Sequence, residues 1–105
     1  MISDILLRDT ITITAHLGHD AYGLNYSDQA IAAPAYCEPG YRVVRTADGE
    51  NVIANLFAIL PADIAIAPMD RVDWNGSAYR VIEVQSQRPG GVPHHLEVTL
   101  QSMTT

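Results

Sequence analysis

The sequence predicts an all-β protein, a small closed or partly open β-barrel of about six mostly antiparallel strands. Two tight-turn signals carry that expectation, Asn75-Gly76 and Asp48-Gly49, each set between runs rich in β-branched and aromatic residues. A third sign is a change of parity inside the stretch RVDWNGSAYRVIEVQ. Val72, Trp74, Tyr79 and Val81 share one face there, and the apolar pattern then shifts to Ile82 and Val84. Such a shift marks a bulge or sharp bend, which lets a sheet curl and close on itself.

The elements follow in order. Residues 1–8 form a short N-terminal segment in which Ile2, Ile5 and Leu6 are spaced for one or two turns of helix. So short a helix needs a docking surface. In DTITITAH, Ile11, Ile13 and Ala15 alternate with Thr10, Thr12, Thr14 and His16, the pattern of a half-buried strand. Residues 17–36 show no sustained period and are broken by Gly18, Gly23 and Pro34, which predicts a long early loop. Its Tyr22 and Tyr26 suit contacts with a partner. A solvated loop is the plainer reading.

From Tyr41 the pattern is regular. YRVVRTADGENVIANLFAIL predicts a hairpin whose second arm is apolar on both parities, so that strand is central to the core or partly covered by another subunit. Pro61 ends it, because proline cannot donate to the ladder. The Asn75-Gly76 hairpin pairs Trp74 with Ser77 and Val72 with Tyr79. SQRPGGVP reads as a loop. HLEVTLQ closes the barrel with Leu96, Val98 and Leu100 inward.

At 105 residues the chain predicts one domain spanning 1–105 with a modest core. Charged residues are only 17%, which favours a protein that hides part of its surface against neighbours. The net charge is -6, and all six basic residues are arginines with none clustered. A direct reader of DNA or RNA needs a basic surface, so that class is disfavoured. An acidic surface can instead let DNA slide without sticking. The lone Cys37 allows no internal disulfide. MISDILLRD lacks the basic lead and cleavage site of a signal peptide, and no apolar run approaches the roughly 18 residues that cross a bilayer. The expectation is a soluble protein made in a reducing cytoplasm, with no membrane partner.

Catalytic chemistry is hard to find. His16, His19, His94 and His95 would approach one another only if the first and last strands pair, and their spacing matches no metal-ligand pattern. Asp63, Asp70 and Asp73 lie around turns, where an aspartate commonly bonds its own backbone. No phosphate-cradling, dinucleotide-binding or nucleophile-elbow pattern occurs. Cys37 lacks the flanks of a nucleophile and reads as a half-buried spectator. Trp74 and Tyr79 read as cross-strand packing, with Trp74 toward a rim. No catalytic residue, metal or cofactor is expected.

Three stretches together carry a family resemblance over roughly the last two-thirds of the chain. RVVRTADGENVIANLFAIL is similar to a turn-and-apolar-strand arm. IAPMDRVDWNGSAYRVIEV carries P-x-D-x-V followed by G-x-x-Y-x-V-x-x-V on Pro68, Asp70, Val72, Gly76, Tyr79, Val81 and Val84, with Trp74 between. GGVPHHLEVTL resembles the closing loop and strand. In this order they resemble the head-to-tail stopper, or head-completion, proteins of long-tailed bacteriophages.

The resemblance implies a β-barrel that forms a homo-oligomeric ring of six or twelve copies at the virion's head–tail interface. The ring would sit on the portal–adaptor complex, with the tail or tail terminator docking on its other side and packaged DNA held back non-specifically. On this reading the candidate gate is His19, Asp20, Tyr22, Gly23, Asn25, Tyr26 and Asp28. The candidate docking loop is Arg88, Pro89, Gly90, Gly91 and Pro93. Competing expectations are a tail terminator or other neck component, a monomeric β-barrel binding module using Trp74, Tyr22 and Tyr26, and an enzyme with a His/Asp metal site.

Overall fold

The computed structural model describes residues 8–20, 23–46, 48–87 and 95–103. It contains six strands: β1 (Asp9–Asp20), β2 (Gly23–Arg45), β3 (Asn51–Pro61), β4 (Arg71–Trp74), β5 (Ser77–Gln87) and β6 (His95–Ser102). They close in the order β1-β2-β3-β6-β5-β4, with β4 returning to β1. Every neighbouring pair is antiparallel. The expected all-β barrel is what forms, and no helix occurs among the described residues. The N-terminal helical turn expected within residues 1–8 falls almost wholly outside them.

Alternate residues of each strand fill the barrel, as the period of two requires. Ile11 and Ile13 come from β1, Leu56 and Leu60 from β3, Val72 from β4, Val81 from β5, and Leu96, Val98 and Leu100 from β6. β2 contributes mainly Ala33 and Ala35, whose small side chains leave room for the leucines opposite. The crossing from β3 to β4 carries Ile64 and Ile66 against this core. At the β4–β5 turn Asn75 and Gly76 both have positive φ, 52° and 81°, the backbone of a two-residue hairpin that matches strand twist. Trp74 pairs Ser77 and Val72 pairs Tyr79, as the turn predicts. The parity shift is a β-bulge: Val81 faces Leu100, Glu83 faces Thr99, and Ile82 is the extra residue. Val84 thereby returns to the core.

Residues 17–36 require a correction. Where they are described, at 17–20 and 23–36, they are not a loop but the end of β1 and the first half of β2, a strand of 23 residues. The alternation is present, with Ala33, Ala35 and Cys37 buried between exposed Ala32, Pro34, Tyr36 and Glu38. Alanine on both parities hides it, and the prolines argue against a central strand. β2 tolerates them because it changes partner midway, pairing β1 up to Ala35 and β3 from Tyr36. The Cys37 N–H donates toward β1, to Asp9 Oδ2 at 3.0 Å. Backbone donors alternate sides, so the nitrogen of Pro39 faces the flank where β1 has ended. That of Pro34 faces the flank that β3 has not yet reached.

Candidate functional site

Two ribbons leave the barrel wall. The first is the β1–β2 hairpin. β1 pairs with β4 only over Thr12–Thr14, and beyond that its partner is β2 alone. Two irregularities bend the ribbon, between Thr14 and His16 and between His16 and Gly18. A straight strand as long as β2 would reach about 75 Å, whereas the longest dimension of the molecule is 43 Å. β2 therefore curves round the barrel.

The gate candidates lie on this ribbon. Asp20 pairs Gly23, His19 pairs Leu24, and Asn25 pairs Gly18. Tyr26 packs edge-on against His16, with ring centroids 5.7 Å apart. Asp28 is exposed in the bulged part of β2. Tyr22 lies outside the described residues. The segment is thus a hairpin rather than an unstructured loop. The docking-loop candidates Arg88, Pro89, Gly90, Gly91 and Pro93 also fall outside the described residues.

Asp70 anchors the base of the ribbon. Its Oδ1 accepts the His16 N–H at 2.8 Å, and its Oδ2 accepts the Ala67 N–H at 2.9 Å. Its backbone carbonyl accepts the Val81 N–H, also at 2.9 Å. One buried carboxylate thereby joins β1 to the crossing turn, while its backbone joins that turn to β5. The sequence placed Asp70 at a turn, bonding its own backbone; the bond to β1 was not visible. Trp74 and Tyr79 pack on the core with centroids 6.5 Å apart, so the hairpin motif Asp70, Val72, Trp74, Gly76, Tyr79 and Val81 is architectural.

The second ribbon is the β2–β3 hairpin. β3 pairs with β6 only from Leu56, so Arg42–Arg45 and Asn51–Ala54 pair with each other beyond the wall. At its tip the Thr46 hydroxyl bonds Asp48 and holds that carboxyl below the usual carboxylate range. Its outer face is apolar: Tyr41 is 76% exposed, and the cross-strand pair Val43 and Ile53 are 62% and 40% exposed.

Where the same strands continue into the wall, the outer face becomes a groove of ≈ 450 Å³. Register sets two ranks across it. Glu38, Phe57, Thr99 and Glu83 lie side by side across β2, β3, β6 and β5. Tyr36, Ile59, Glu97 and Gln85 form the next rank. The Arg42 guanidinium sits 4.7 Å from the centroid of the Phe57 ring. A β3 apolar on both faces was the sequence sign of this surface.

Among the described residues no three His, Cys, Asp or Glu side chains gather as metal ligands. β1 and β6 do not pair; they lie on opposite sides of the barrel, so strand pairing does not draw His16 and His95 together, and His94 lies outside the described residues. Cys37 is buried on β2, and burial, reinforced by Asp9, pushes its thiol up to about 12.

No family model matches the chain, and no curated protein matches it in sequence. Among solved structures it is similar to the phage-like element PBSX protein xkdH from Bacillus subtilis, with a TM-score of 0.62 at 15% identity. The superposition covers 90% of this chain and 93% of that one. The likeness is one of fold, and it extends along nearly the whole of both chains.

Proposed function

We propose that this protein is a structural, non-catalytic component of a bacteriophage neck, a stopper that assembles as a ring between the portal–adaptor complex and the tail. The observation that carries the reading is the near full-length likeness to a protein of a phage-like element. The motif order that resembles the stopper family supports it. So does an outer surface apolar enough to be covered by neighbours. In this role the bent β1–β2 ribbon is the gate that retains packaged DNA, and the segment from Arg88 to Pro93 serves tail docking. The virion is its place of action, after synthesis in the host cytoplasm.

Native mass spectrometry of the chain, alone and with the portal–adaptor complex encoded beside it, tests the reading. A fixed multiple of the chain mass, alone or only on that template, is the expected result. A monomer in both conditions would overturn the reading and favour a free-standing binding module. Replacing residues 18–25 by a two-residue turn is expected to abolish DNA retention while the barrel still folds. Full retention would remove the gate from this ribbon.

A further inference from the structure

The β2–β3 face holds two unlike surfaces on one chain. One is the groove. Thr99 is only 7% exposed and lies on its floor. Glu38, Glu83 and Glu97 rim it, against one cation, Arg42, held over the Phe57 ring, so the groove is net acidic; Tyr36 and Phe57 supply apolar wall. Among the described residues Glu38 and Glu83 form no ion pair. The other surface is the outer face of the ribbon. It carries Tyr41, Val43 and Ile53, with Arg45 exposed beside them on the same strand and in no ion pair among the described residues. The acids of the ribbon, Asp48 and Glu50, line a different hollow with Met69 and Arg80.

We infer that the groove receives the β2–β3 ribbon of a second copy of this chain. The fit is one of charge and of polarity. A net acidic, aromatic-walled groove takes a guanidinium flanked by apolar side chains. Ribbon and groove are continuous along β2 and β3, so the ribbon cannot fold onto its own groove, and the contact must join two molecules. Two different patches meeting make a heterologous contact, which closes into a ring when the rotation allows it. This step rests on the ring reading above and names the surface by which the ring forms.

Charge reversal in two separate variants tests it. Arg45→Glu and Glu38→Arg alter exposed positions, and unchanged circular dichroism and Tm establish that each folds. Native mass spectrometry is run on each variant alone at up to millimolar concentration and on the portal–adaptor complex. Each variant by itself is expected to need about tenfold more protein, or higher, to assemble. An equimolar mixture is expected to recover assembly with equal numbers of the two, alternating round the ring. At one junction the unaltered Arg45 of the E38R chain meets the unaltered Glu38 of the R45E chain. At the next the two substituted side chains meet, again with opposite charges. Wild-type assembly by both single variants would overturn this interface while leaving the ring reading in place. A closed dimer lost and regained in the same pattern would support the interface and overturn the ring. A wild-type chain monomeric throughout would overturn both.

Discussion

Asp70 shows how much one side chain can fix in a barrel this small. Its carboxylate accepts two backbone donors, from His16 and Ala67, that have no strand partner where β1 parts from β4. Replacing it with alanine removes the acceptor of both N–H groups, one on half-buried His16 and one on exposed Ala67, at a cost of about 2 kcal/mol. That corresponds to a fall in Tm of roughly 10 °C or more for a chain of this size. Asp70→Asn keeps one acceptor and turns an amide donor toward the other N–H, so a smaller loss is expected. Thermal unfolding followed by circular dichroism checks both; equal Tm values for wild type and Asp70→Ala would deny the anchor. Cys37 makes a separate point. Its thiol is held protonated up to about 12 in the fold, against an ordinary value of 9.0. Below pH 9 folded and unfolded chains both carry the proton, so the contribution to stability is complete. Above pH 9 only the unfolded chain releases it, and stability falls as pH climbs toward 12. Alkylation at pH 8 is expected to be slow without denaturant and fast with it. Rapid modification of the folded chain would mean that the thiol is neither buried nor protonated.

At the scale of elements, β2 does more than one strand usually does. It serves as partner to β1 over one half and to β3 over the other, and a register break between Pro39 and Arg42 turns it outward into the second ribbon. Gly40 sits at that break. A Cβ there would lie 2.7 Å from the Phe57 ring, closer than carbon atoms approach, so glycine is what lets the ring lie across the strand. Gly40→Ala is expected to displace Phe57 and its Arg42 cap and to cost about 1–2 kcal/mol. It should weaken self-association beyond what the loss of stability explains. A variant equal to wild type in Tm and assembly would show that the ring moves aside freely. This strand also marks the limit of sequence reading. Asn75-Gly76, the Ile82 bulge and the apolar parities of β3 and β6 were legible because turn chemistry and alternation are local signals. The first half of β2 was not. Whether Pro34 can sit in a strand depends on which neighbour is present at that point, a fact of topology rather than of local sequence. The anchor from Asp70 to His16, 54 residues away, was hidden for the same reason, as was the alignment of Glu38, Glu83 and Glu97 across four strands.

For the whole molecule, the topology divides the backbone into two classes of unequal stability. β6 is paired on both sides, by β3 through Leu56–Pro61 and by β5 through Tyr79–Gln87. Its side chains Val98 and Leu100 are at the centre of the core, so its amides can open only when the barrel opens. The two ribbons have a neighbour on one side only, and part of their apolar surface faces solvent. Hydrogen exchange on the isolated chain is therefore expected to be slowest in β6 and in Leu56–Leu60. It should be faster by orders of magnitude in residues 23–32, 42–45 and 51–54. Assembly gives this contrast a use. If the β2–β3 ribbon of each copy lies in its neighbour's groove, exchange in 42–45 and 51–54 should slow on ring formation. Exchange in 23–32 should stay fast if, as proposed, this ribbon is a gate that moves past DNA. Equal protection of ribbon and wall in the isolated chain would contradict the two-class description. Slowing confined to residues 23–32 would exchange the roles given to the two ribbons, making the β1–β2 hairpin the contact between copies and leaving the β2–β3 hairpin to face the channel.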